Sequence, residues 1–176
     1  MHYTAAVEVW DYYFEKLGCW KNEQNDWIFE TQQLIIILSV KVDDHEKDFY
    51  IDMGILFKKR HDNRQLEAPV MDNHDIAQGL YNVLRDMGEW EYYLNNLFCY
   101  NGDVNTNDEI IANIAEIVSL FKREIIPYIS KLDVYIRQVK DFEKAETWVP
   151  FLQYFRANPA IDERFNGLLE AYYWMK

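Results

Sequence analysis

Two His-Asp steps, His61-Asp62 and His74-Asp75, are the residues in this chain best suited to chemistry. Imidazoles and carboxylates together hold divalent ions, and metal-dependent phosphohydrolases carry such a His, His-Asp, Asp set on helices. Here His61 falls in a short basic loop, Lys58 to Arg64. His74-Asp75 falls at the start of a helical pattern, where Asp75 suits the first turn. The spacing therefore predicts a helix start, not a metal centre. Cys99 as a nucleophile would need a histidine partner, and no local signature supplies one. The chain has no Gly-x-Ser-x-Gly elbow. Ser39 lies in a strand pattern and Ser130 in a helical one.

Other catalytic signatures are missing too. The six glycines are scattered singly, so none forms a phosphate-cradling loop. A nuclease core needs Glu-x-Lys on a strand, and that tripeptide does not occur. The 30 acidic residues offer many carboxylate pairs, but abundance alone does not make a glycosidase. Asp43, Asp44, Glu46 and Asp48 lack the Asp-x-Asp-x-Asp-Gly spacing of a calcium loop. Cys19 and Cys99 are too few for a zinc site or a disulfide framework, and are expected as buried free thiols. No catalytic residue, metal or cofactor is expected, which leaves binding as the role to test.

Charge and aromatics supply a candidate for that role. The 176 residues carry a net charge of −12, with 18 basic and 30 acidic side chains. Such acidity disfavours nucleic acid, whose phosphates would be repelled, and favours a basic protein partner. Residues 86–121 contain no Lys or Arg but hold seven carboxylates, so this stretch supplies more than half of the net charge. It also holds Trp90, Tyr92, Tyr93, Phe98 and Tyr100. Carboxylates beside Trp and Tyr suit a docking face for a cationic protein. The rings anchor at low entropic cost, and the charges steer and set register. Asp86, Glu89, Trp90, Glu91, Tyr93, Asp103 and Asp108 are the expected contacts. The competing reading is a solvated acidic helix face with its aromatics turned to the core.

The elements that must position these residues are legible from periodicity. Thr4 can cap a first helix carrying Val7, Trp10, Phe14 and Leu17, and Gly18 stops it. Trp20 to Trp27 reads as a polar turn. Strands are predicted at Trp27–Phe29, Leu34–Val42 and Phe49–Phe57. The run Leu34 to Leu38 is continuously apolar, so it should be an interior strand covered on both faces. Gly54 inside the third strand suggests a bulge or a close backbone approach. After Pro69 the period shifts to helical. Asp72 or Asn73 can cap a helix with Ile76, Leu80, Val83 and Leu84, ended by Gly88. A short helix with an aromatic side spans Glu89 to Cys99, and Asn101-Gly102-Asp103 is a turn. Thr106 or Asn107 caps a helix that Pro127 ends or kinks. Leu132, Tyr135, Ile136 and Val139 support a further helix, and Ile161 to Tyr173 a last amphipathic one.

The predicted architecture is a single α+β domain over 1–176. An N-terminal helix precedes an antiparallel sheet of three to four strands, within residues 1–68, and a set of packed helices follows over 69–176. The longest apolar run is far shorter than the roughly 20 residues of a spanning helix. The N-terminus lacks a basic, then apolar, leader. A cytoplasmic protein is expected.

At the strand-to-helix region a resemblance appears. Trp27-Ile28-Phe29, the Leu34–Val42 strand and Ile51-Asp52-Met53-Gly54-Ile55 resemble the sheet of the bacterial domain-of-unknown-function family 4304. Pro69 followed by Asp72-x-His74-x-Ile76, and Ile125-Ile126-Pro127-Tyr128-Ile129, are similar to its later junctions. The resemblance covers roughly residues 5–142 and leaves out the tail with Trp148-Val149-Pro150-Phe151. Such domains occur near polymorphic toxins and are suspected immunity proteins, so it implies a bacterial inhibitor of a cognate toxin. It carries over no site residues. Two rival expectations stand beside this one. One is an enzyme with a small-molecule site in the sheet–helix crevice near His74 and Asp75. The other is an adaptor that self-associates through its aromatics.

Overall fold

The computed structural model describes residues 3–43, 48–73, 75–86, 88–99 and 105–138. Helix α1 (Tyr3–Lys16) leads into β1 (Trp20–Lys21), β2 (Trp27–Glu30), β3 (Leu34–Asp43) and β4 (Asp48–Phe57). A 3-10 turn, helix α2 (Asn63–Glu67) and a second 3-10 turn precede β5 (Ile76–Gly79). Helices α3 (Leu80–Asp86), α4 (Glu91–Phe98), α5 (Asn107–Leu120) and α6 (Ile126–Gln138) follow. The fold is α+β. Its sheet is an antiparallel meander in the order β1-β2-β3-β4-β5.

Two short strands were not expected, β1 and β5. Ile76 begins a strand, not a helix, so the sheet extends past residue 68. Pairing of Ile55 with Ile76 and Gly54 with Ala77 overrides the helical spacing of Ile76, Leu80, Val83 and Leu84. The helix waits until Leu80. Gly54 sits in regular register with Ile37 and Ala77, with no bulge.

The apolar run of β3 behaves as its composition demands. Leu34 to Leu38 are all buried, and the strand lies between β2 and β4. Leu34, Ile36 and Leu38 join the main core under the helices. Ile35 and Ile37 point to the other face and form a second cluster with Ile28 and Leu56 beneath Leu66 and Met71. A strand buried on both faces has no use for polar alternation. Beyond Leu38 the cover thins: Ser39 and Val40 are part-buried and Lys41 is exposed.

The main core is aromatic. Trp10 stacks on Phe14 (centroids 5.5 Å, interplanar 17°) and meets Phe49 edge-on. Phe14 in turn touches Trp27 and Phe121, which ties α1 to the sheet and to the C-terminal helices. Truncating Phe14 to Ala should cost about 3–5 kcal/mol, as for other buried aromatics.

Local signals set the helix ends. Gly18, at φ 88°, closes α1: Gly18 N donates to Glu15 O and Cys19 N to Phe14 O. Gly88, at φ 98°, closes α3 with the same pair of bonds, Gly88 N to Arg85 O and Glu89 N to Leu84 O. This left-handed stop is open to glycine at little cost. Thr106 caps α5 in a capping box with Glu109. Thr4, expected as the cap of α1, is already inside that helix. The basic loop at Lys58–Arg64 is instead a 3-10 turn and the start of α2, which Asp62 caps.

Pro127 does not end its helix. The chain passes from α5 into α6 through a π turn, Phe121–Ile125, in which Ile126 N donates to Phe121 O. Proline has no N–H to give back to the preceding turn, and the wider turn fits beside that missing bond. Buried Asp133 then fastens α6 to the β2–β3 turn. Its Oδ1 accepts from Thr31 Oγ1 at 2.5 Å and from Gln33 N at 2.7 Å. The expected turn at 101–103, the middle of the 43–48 turn, Val139 and the last amphipathic helix lie outside the described residues.

Candidate functional site

Helix α4 carries the expected docking face and splits its aromatics by side. Trp90, at its N-cap, is 71% exposed, and Tyr92 is 64% exposed. Their rings pack on each other with centroids 5.3 Å apart. Tyr93 turns inward instead and donates its hydroxyl to Glu116 Oε1 on α5 at 2.9 Å. Burial, with that bond to a carboxylate, pushes the Tyr93 phenol up to about 12. Phe98 is core, packed edge-on against Tyr81.

The acidity of this region is partly compensated from outside the Lys/Arg-free segment. Arg123, in the π turn, reaches Glu89 Oε1 at 3.5 Å, Glu116 Oε1 at 3.9 Å and its neighbour Glu124 Oε1 at 2.7 Å. Glu89 is therefore a part-buried ion-pair partner. Glu91 stands exposed in the first turn of α4, beside Trp90 and Tyr92. Asp86 ends α3, and Asp103 lies outside the described residues.

Asp108 does not join the group. Helices α4 and α5 run antiparallel: Glu89 lies near Arg123, Tyr93 meets Glu116, and Asn113 donates to Asn96 O. Asp108, in the first turn of α5, belongs at the end of α4 remote from Trp90. The structure thus gathers Glu89, Trp90, Glu91 and Tyr93, adds Tyr92 and Arg123, and sets Asp108 apart. Tyr92 was legible as an aromatic of the segment. Arg123 was not, because only the antiparallel packing returns residue 123 to residue 89.

Three of the four residues in the His-Asp steps, His61, Asp62 and Asp75, have structural uses. Asp75 is buried ahead of β5, not in a helix. Its Oδ2 accepts from Phe57 N at 2.8 Å and lies 2.8 Å from His61 Nε2. His61 Nδ1 lies 3.3 Å from Gln65 Oε1. The network joins the end of β4, α2 and the start of β5. Asp62 caps α2, and His74 lies outside the described residues. Among the described residues, no group of three or more His, Cys, Asp or Glu side chains is arranged to hold a metal.

A sheet–helix crevice does exist, but elsewhere than at Asp75. A cleft of about 590 Å³ opens between β4 and helices α3 and α4. Phe49, Ile51 and Phe98 supply apolar surface, while Asp52, Asn82 and Asn96 are among its polar lining. Cys99, expected as buried, is only part-buried and lines this cleft. Cys19 is buried, and desolvation pushes its thiol up to about 12, so it is an unreactive core residue. An isolated β-bridge pairs Asp48 with Cys99, which brings Asp48 to the far end of α4.

No family model, no curated protein and no solved structure matches the chain. Among the described residues, no helix is long and apolar enough to cross a membrane.

Proposed function

We propose that this chain is a cytoplasmic immunity-type protein that binds a cognate, basic toxin domain and blocks it stoichiometrically, without catalysis. The observation that carries the reading is the Trp90–Tyr92 pair, two large, mostly exposed rings in tilted contact with Glu91 beside them. Exposed large aromatics contribute little to folding, whereas Trp and Tyr dominate binding hot spots. The acidic surroundings would steer a basic partner and speed encounter. The resemblance read from the sequence implies the same role. The test is titration of the chain with the toxin domain encoded beside its gene, using Trp90→Ala/Tyr92→Ala as the comparison. Loss of binding in the double variant supports the reading, and unchanged binding overturns it.

The second reading is a small-molecule enzyme with its site in the cleft. Its volume lies within the range of ligand pockets, roughly 300–1,000 Å³. A turnover screen that responds to substitution of Asn82 and Asn96, but not of Trp90, would favour it.

A further inference from the structure

The same cleft lies at the other end of α4 from Trp90, and its lining is one-sided. Asp, Asn, Phe and Tyr residues line it, and among the described residues none of the lining is a Lys, Arg or His. Asp52 already shows its taste for a cation: its Oδ2 holds Lys41 Nζ at 2.8 Å at the rim. A carboxylate has about four lone-pair sites, and Asp52 Oδ1 has no hydrogen-bond partner among the described residues. Asn96 spends Nδ2 on Tyr92 O, which leaves its Oδ1 as an acceptor. Asn95 Oδ1 is taken by the Tyr81 hydroxyl, so the rim is braced on that side.

This acceptor-rich wall with an aromatic floor suits a planar cation. A guanidinium brings five donors in a fixed fork, can satisfy carboxylate and amide oxygens together, and stacks on rings. A lysine ammonium would use fewer of these groups. The cleft is also continuous with the exposed side of α4, because Tyr92 and Asn96 are one helical turn apart. A partner held at Trp90 and Tyr92 could reach it with a neighbouring loop.

We infer that the cleft between β4 and α3–α4 is a receptor site for an arginine side chain of the bound partner. This rests on the proposed function only for the source of the arginine. The cleft's preference for a guanidinium belongs to this chain alone and is measurable without any partner.

The probe is N-acetyl-arginine amide, titrated into the isotope-labelled chain and followed by NMR. N-acetyl-citrulline amide, of the same shape but uncharged, is the control. The expected result is saturable shifts at Gly79, Asn82 and Asn96, with the arginine amide bound about tenfold more tightly than the citrulline, since charge-assisted bonds are roughly twice as strong as neutral ones. Lys41→Ala, at an exposed position, frees Asp52 and should tighten arginine binding further. Asp52→Asn should erase the preference over citrulline. Equal binding of both amides, shifts gathered at Glu91 or Asp108 instead of the cleft, or no saturable shift would each overturn the inference. Cleft binding with no effect of Trp90→Ala/Tyr92→Ala on the toxin would retain this site while removing the proposed docking face. The reverse pattern would do the opposite.

Discussion

Trp90 and Tyr92 meet ring to ring at the N-terminus of α4, tilted by 42° with centroids 5.3 Å apart, and both residues are mostly exposed. Tyr93, the next residue, faces the other way and is tied to Glu116. One short helix thus separates a ring that holds the fold from two rings free to hold something else.

That separation predicts a split between stability and binding. Trp90 contributes only its backbone carbonyl to α4, accepting from Leu94 N, and alanine keeps that bond. Trp90→Ala/Tyr92→Ala should change unfolding free energy by no more than about 0.5 kcal/mol, as at other surface sites. It should weaken partner binding by at least about 2 kcal/mol, a roughly thirtyfold rise in Kd. Urea unfolding and calorimetric titration read the two quantities.

The two glutamates of this face should behave differently. Glu91→Lys alters an exposed charge, so association should slow and its salt dependence should flatten, with dissociation little changed. Glu89→Lys also sets a cation against Arg123, and should lower the thermal midpoint as well. Stopped-flow rates at two ionic strengths, with melting curves, distinguish them.

Tyr93 predicts an alkaline limit to stability. Its phenol rises from the ordinary 10.0 to about 12 in the folded protein. The folded state therefore holds the proton more tightly than the unfolded chain. This contribution is complete below pH 10 and is lost as pH climbs towards 12. Tyr93→Phe should be less stable than the parent at pH 8, and the gap should narrow above pH 10. Denaturant midpoints across that range measure it.

Asp75 predicts a purely structural defect. Asp75→Ala leaves Phe57 N and the His61 ring without their shared acceptor in a buried place. An orphaned buried donor costs roughly 1–3 kcal/mol. The variant should unfold at lower urea yet bind the partner with parent affinity once folded.

The parts of the fold legible in the sequence are those governed by local chemistry. Gly18, Gly88 and the Thr106–Glu109 box mark helix ends because their bonds span only a few residues. The Leu34–Leu38 run announces an interior strand because burial on both faces leaves no room for polar residues. What escaped depends on distant partners. Ile76–Gly79 is a strand because β4 is beside it, and its own spacing reads as a helix. At the candidate site the aromatics and carboxylates of α4 were visible from composition. Their sidedness, the return of Arg123 and the arrival of Asp52 at the cleft follow from packing alone.

Amide hydrogen exchange at Glu91–Tyr93, with and without the proposed toxin partner, tests the docking face most directly. The first N–H groups of a helix have no intrahelical acceptor and exchange quickly when solvated. Docking on Trp90 and Tyr92 should cover them and slow their exchange, and Trp90→Ala/Tyr92→Ala should abolish the slowing. A tight complex that leaves exchange at Glu91–Tyr93 unchanged would contradict the account.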